Sequence, residues 1–436
     1  MRLIRLFKRD LAKEVASWVD GGIISPDQAR AICGLYGIDY GTSQDGSTGY
    51  RLLLVLGYLF IGLAIITLIG ANWEQIPRGL RMLGLLALTA ATHGYGLKLY
   101  LAGKTSGAAA VFLLGNLFYG ASIILIAQIY HLGEHMPDGV LWWALGSLPF
   151  GLLLLSPWLT LFTTLLALIW FVLEYNLGFF PTLFPLFMVA ALYVLIKGRT
   201  STPLFLTLVV SVALWIEGSL SLVWGRAGDL LDCHAEHFGA GLALLVFAHA
   251  FGHWLDGRAS AKARDYGVLL TLWTLRFGIL AMLVLSFVDP WVELIDADWP
   301  HQASMWLVVV ALLAAALWLG WKSGSLQTLA PIAALCVLSL AAVVPMDDEA
   351  NAVYFQIVWN IALVAAGIWL MLRGIRDGIS HYFFLGIATI LLVAFMRYVD
   401  LIGDYVGGAI LFMVLAALLL GAARYWRTRQ PREGAS

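Results

Sequence analysis

Side chains able to do chemistry are scarce in this sequence, and most gather in a few short stretches. AQIYHLGEHMPDG, from Ala127 to Gly139, follows an unbroken apolar run and brings His131, Glu134, His135 and Asp138 close together in the chain. DCHAEH offers Asp232, Cys233, His234, Glu236 and His237. Imidazoles, thiolates and carboxylates are ligand types for zinc, copper or manganese. Neither spacing matches an established metal motif, so no metal and no cofactor is assigned from the sequence. His249 and His253 in FAHAFGHW are four apart and share a helix face, the spacing of the HExxH zinc pair without its glutamate. Imidazoles hydrogen-bonded to neighbouring helices are the expectation there, and for His93 in AATHGYG.

A second group consists of charges inside apolar runs. Arg276 lies in the middle of one such run, TLRFGIL. A charge near the centre of a bilayer costs about 2.5–3.5 kcal/mol on insertion scales, so it needs a partner or a watery cavity. Glu217 in LWIEGSL and Glu174 near the end of another run are the candidate counter-charges, and Arg397 stands at a run's end. Two readings stay open for Arg276: a buried ion pair that fixes helix packing, or part of a substrate or proton path. The chain has no GxGxxG, P-loop or GxSxG pattern. It therefore shows no catalytic set, and nothing points to nucleic acid.

The elements that must hold these residues follow from composition. Of 436 residues, 61% are hydrophobic and 12% charged, with a mean hydropathy of +0.86. A soluble domain carries roughly 25% charged residues, so this chain cannot cover itself with polar surface. Apolar runs of roughly 20 residues, the length that crosses a bilayer as a helix, recur near 52–70, 80–100, 107–127, 139–155, 158–175, 179–196, 203–223, 237–255, 267–288, 303–321, 325–345, 353–372, 378–399 and 405–423. They are apolar on all sides, which favours helices over a barrel. The predicted fold is all-α: a polytopic integral membrane bundle of about 14 transmembrane helices surrounded by membrane lipids. The closest approach of two runs is at Ser156-Pro157, where one could be re-entrant.

Charge orients the bundle. With the N-terminus inside, Lys and Arg concentrate in every second loop, as in Lys98 and Lys104, Lys197 and Arg199, Arg258 and Lys262, and Arg373 and Arg376. By the positive-inside rule both termini are then cytoplasmic. Acidic residues such as Glu134, Asp138, Asp232, Asp289, Asp296 and Asp348 fall on the opposite side. Residues 1–51 read as a cytosolic helical hairpin, 52–424 as the bundle and 425–436 as a basic cytosolic tail. The hairpin lacks a signal peptide's apolar core and cleavage site and is expected to remain. Within it, Gly21-Gly22 ends one helix, and Ser25-Pro26-Asp27-Gln28 reads as a capping box opening the next.

WVDGGIISPDQARAICGLYGID, GANWEQIPRGLR and GASIILIAQIYHLGEHMPDGVLWWALGSLPFGLLLLSPW together resemble the bacterial membrane proteins of domain-of-unknown-function family 2157, over about residues 13–160. The resemblance implies a bacterial cytoplasmic (inner) membrane and brings no activity. It also implies that Asn72, Trp73, Gln128, Tyr130 and His131 belong to a shared pattern. With Glu134 and His135 they form a candidate outer vestibule, in which the Gln128 amide should face the bundle interior. A transporter or flippase of a small-molecule or lipid-linked substrate is the first functional reading. A scaffold or stress-related protein without catalysis, and a membrane-embedded enzyme acting on a lipid-linked substrate, are the alternatives.

Overall fold

The computed structural model describes residues 8–35, 77–131, 135–224 and 234–400, with scattered positions between 53 and 67 and Met413. Secondary structure among the described residues is helical, with no strand. In hydrocarbon a chain must satisfy its own backbone groups, and an apolar helix does so within one segment. Each apolar run between 80 and 399 accordingly coincides with a helix. The runs at 52–70 and 405–423 lie largely outside the described residues. Among the described residues, nine helices are long and apolar enough to cross a membrane.

Helices α1 (Lys8–Asp20) and α2 (Pro26–Leu35) form the hairpin. The capping box is present: the Ser25 N–H donates to Gln28 Oε1 at 2.9 Å and the Gln28 N–H to Ser25 Oγ at 3.3 Å. Val15, Ala29 and Cys33 make its small core. Burial raises the pKa of the Cys33 thiol, which packs as an apolar group.

The chain divides into two compact units, and the hairpin belongs to the first. The first contains α3 (Arg78–Leu101), α4 (Thr105–Tyr130), α5 (Met136–Leu153), α6 (Pro157–Asn176), α7 (Phe184–Lys197) and α8 (Thr202–Trp224), together with residues 255–269. α5 and α6 meet at a tight turn in which Leu155 has φ +45°, and the two pack closely along their length. That is the Ser156-Pro157 junction, and both arms are full helices. α7 is shorter than its sequence run: 14 residues rise only about 21 Å.

Packing in this unit rests on rings seated over glycines. A Cβ at Gly120 of α4 would collide with the Trp143 ring of α5, and one at Gly146 of α5 with Tyr119 of α4. Without a hydrophobic force between helices in lipid, such close approach supplies the van der Waals contact that holds them together. Ala144, Ala167, Trp170, Phe171, Phe184 and Phe187 form the main apolar core beside it. Lys262 donates to the Ile196 and Gly198 carbonyls at 2.9 and 2.5 Å, placing a cation at the negative end of α7.

The second unit contains α9 (Ala235–Asp256) to Trp254, α10 (Ala261–Val284) from Leu270 onward, α11 (Asp289–Asp296), α12 (Gln302–Ser323), α13 (Leu326–Val343), α14 (Ala352–Asp377) and α15 (Ser380–Asp400). α11 falls between the apolar runs at 267–288 and 303–321. Its eight residues are too few for a periodic signal, yet Trp291, Leu294 and Ile295 are buried while Asp289, Glu293 and Asp296 are exposed. The Trp291 ring stacks on Phe355 of α14 at 4.7 Å. α14 and α15 approach closely where Gly374 faces the backbone of Phe383 and Gly386 that of Gly367.

The glycine contacts make a prediction of opposite signs. Alanine exceeds glycine in a helix by about 1 kcal/mol, so Gly94→Ala, with open space around its Cβ, should raise the unfolding temperature in detergent or leave it unchanged. Gly120→Ala should lower it, because displacing the Trp143 ring costs about 1–3 kcal/mol. Equal shifts for the two variants would remove glycine-mediated packing from the account.

Candidate functional site

The turn between α4 and α5 is built to carry polar groups at one end of the first unit. α4 stops at His131, whose left-handed conformation (φ +51°) lets its N–H bond the Ala127 carbonyl. His135 is the extended N-cap of α5, Pro137 occupies the first turn, and Asp138 stands three residues beyond the cap. These are the cap and N3 positions, whose side chains approach each other in a capping box. The fold thus turns His135 and Asp138 toward one place without a long-range contact.

α6 adds the third member. Glu174 is buried, 7% exposed, in the last turn of α6, and each carboxylate oxygen has a named partner. Trp170 Nε1, one turn back, donates to Oε1 at 3.1 Å, while Oε2 lies 2.7 Å from His135 Nε2. The Phe179 ring meets the His135 ring edge-on at 5.1 Å. Ligand atoms of His135, Asp138 and Glu174 all lie within 4.8 Å of one another. Exposure grades from Asp138 in solvent, through half-buried His135, to enclosed Glu174. Such a set can exchange protons or hold a cation.

The other vestibule candidates do not join this cluster as expected. Asn72, Trp73 and Glu134 lie outside the described residues. Tyr130 and His131 are exposed. Gln128 is exposed too, so its amide does not face the interior. Ile129 takes the buried position there, because adjacent helical residues point about 100° apart. Trp170 was missed as a site residue, and Asp138, read among the polar groups of the 127–139 stretch, was not placed in the vestibule. Pro137 was the available signal, since a proline in a first helical turn marks His135 as a cap.

Each intramembrane charge has its own surroundings. Glu174, one candidate counter-charge for Arg276, is instead engaged by His135 and Trp170. Arg276 is exposed and sets its guanidinium 5.2 Å from the centre of the Trp273 ring, one turn away in the second unit. Glu217 belongs to the first unit and is half-buried. Arg397 finds a backbone partner, donating to the Ser286 carbonyl just past α10 at 2.8 Å, with its guanidinium 4.9 Å from the Phe287 ring centre. Asn360 Nδ2 donates to that same carbonyl at 2.8 Å.

His249 and His93 are held by hydrogen bonds within their units. His249 Nδ1 is 2.9 Å from Thr274 Oγ1 of α10, and its ring meets His253 edge-on at 4.9 Å. His93 bridges Thr89 O (2.9 Å) and the Asn116 amide (3.1 Å). Of the DCHAEH set, Asp232 and Cys233 lie outside the described residues. Glu236 is fully enclosed at the start of α9 and accepts the His301 N–H at 2.7 Å, opposing a carboxylate to the positive end of α12.

The shared Ser286 carbonyl predicts non-additive energetics. Arg397→Met or Asn360→Leu alone leaves one donor in place and should cost about 1–2 kcal/mol in detergent unfolding. The double variant should cost more than the sum, since the buried carbonyl then loses both donors. Strict additivity would mean that the two donors do not share one acceptor.

No curated protein and no solved structure matches the chain. One family model does, and it covers the end of α1, α2 to α5 and the first turn of α6, including His135 and Asp138 but not Glu174. With its apolar helices the molecule is a membrane protein, and over residues 16–160 it is similar to the family described as predicted membrane protein, DUF2157.

Proposed function

We propose that the protein is a permease of the bacterial inner membrane, carrying a small hydrophilic solute through fourteen spans with both termini cytoplasmic. On this reading the His135–Glu174 end of α5 and α6 is its outer mouth. The topology drawn from the basic residues sets the start of α5 and the end of α6 on the same face, as their contact requires.

One observation carries the reading. Ser147 Oγ, Thr160 Oγ1 and one head of the Asn116 amide are buried in α4–α6 with no hydrogen-bond partner among the described residues. Which Asn116 atom is left over depends on the amide's orientation: a neutral His93 that donates to Thr89 O must accept at Nε2, so one amide head is always spare. A buried unpaired polar atom costs about 1–3 kcal/mol, and more in hydrocarbon, so these groups call for water. Ser147 lies 12 residues from His135, and Thr160 lies 14 from Glu174, distances of about 18 and 21 Å along their helices. Polar groups thus extend from the mouth to well past the middle of a bilayer roughly 30 Å thick.

Two measurements test this. In a cysteine-free background, Ser147→Cys should react with an impermeant cationic thiol reagent applied outside. It should do so far faster than Ile169→Cys, a lipid-facing control that is 51% exposed. Equal, negligible rates would leave a packed scaffold. Reporter fusions should place the C-terminus in the cytoplasm and a tag inserted at Asp296 outside; a C-terminal reporter found outside would refute the fourteen-span topology.

A further inference from the structure

We propose that His135, Asp138 and Glu174 bind one divalent transition cation, of which zinc is the natural probe. The inference takes from the permease reading only that this end of the helices is open to the outer solution. It gives the proposed mouth a chemical selectivity.

Geometry argues for a site rather than a simple helix-end tie. A tie needs only the 2.7 Å His135–Glu174 contact. Here a second carboxylate, Asp138, reaches the same place, with ligand atoms no more than 4.8 Å apart. Two carboxylates and one imidazole thus converge at the edge of the buried core, and a cation between them could draw on all three. In a tetrahedral site with bonds of about 2.0–2.2 Å, neighbouring ligand atoms stand roughly 3.4 Å apart. The 2.7 Å between His135 and Glu174 lies below that value, and all three ligand atoms stand within 4.8 Å of one another. Rotation of the exposed Asp138 side chain and a small parting of His135 from Glu174 would reach it.

The surroundings resemble those of a metal site in a second respect. Trp170 Nε1 engages Glu174 Oε1 and so directs Oε2 toward His135, while the Phe179 ring restrains the imidazole. Outer contacts of this kind orient ligands and commonly set affinity. One nitrogen and two oxygens suit zinc, manganese or ferrous iron. Calcium, which takes six to eight oxygens, is not served, nor is cuprous copper, which prefers sulfur. Three protein ligands leave a fourth position for water or for exchange, as suits a site through which an ion passes.

The test uses the purified full-length protein in detergent, washed with chelator and titrated calorimetrically with zinc, with calcium and magnesium as comparators. One zinc per chain should bind at micromolar or tighter Kd, with no comparable heat from calcium or magnesium. His135→Gln should weaken binding, and so should Asp138→Asn, whose exposed position leaves the fold untouched. Trp170→Phe should weaken it about 10–100-fold, as loss of an orienting partner does. Absence of saturable zinc binding would overturn the proposal, and so would wild-type affinity in both His135→Gln and Asp138→Asn. Binding in detergent needs no transport, so the two readings fail separately. Zinc bound here with Ser147→Cys unreactive supports the site and sinks the permease; a reactive Ser147→Cys without zinc binding sinks the site alone.

Discussion

A polar group inside hydrocarbon must find a partner within the protein or in enclosed water. Most of what distinguishes this molecule follows from that demand. The apolar runs become helices because only self-paired backbone is tolerated there. The few polar side chains then take up whatever donors and acceptors the helices leave. Arg397 and Asn360 converge on the carbonyl of Ser286, Lys262 on the end of α7, and Glu236 on the start of α12. Trp143 donates to the Asn116 carbonyl while its ring fills the gap over Gly120. Structure and polarity are coupled, since close helix approach is what brings each donor within reach.

The α4–α6 packet combines two features. It holds buried polar atoms without a partner among the described residues, as Asn360 Oδ1 and His381 Nδ1 do elsewhere, and at one end it presents a histidine between two carboxylates. A region that departs from full internal satisfaction is where function is expected, because the departure has an energetic cost that packing alone would remove. Within the matched segment the departure comprises Asn116, Ser147 and Thr160 and the His135–Asp138 turn, while Glu174 is supplied by the chain that follows.

Legibility in the sequence tracked the range of the interaction. Helices were readable because a continuous apolar run has one solution in lipid, and the α2 capping box because its partners are three residues apart. His249 and His93 were rightly expected to be hydrogen-bonded, since an isolated imidazole in a span has few other options. The His135–Glu174 contact was not readable, as 39 residues separate the partners and nothing local links them. Glu174 was matched with Arg276 by charge alone, and charge does not specify which helices touch. Gln128 was assigned inward by polarity, whereas helical phase turned Ile129 inward instead. α11 was hidden by its shortness.

The central claim is that the start of α5 and the end of α6 meet at one aqueous end of the membrane. Paired cysteines test it most directly: His135→Cys with Glu174→Cys, in a cysteine-free background, oxidised in native membranes. The account predicts rapid disulfide formation, seen as a band shift between the two halves after cleavage at a protease site inserted at Ser156, and reversed by reductant. No cross-link under conditions that label both single cysteines would contradict it.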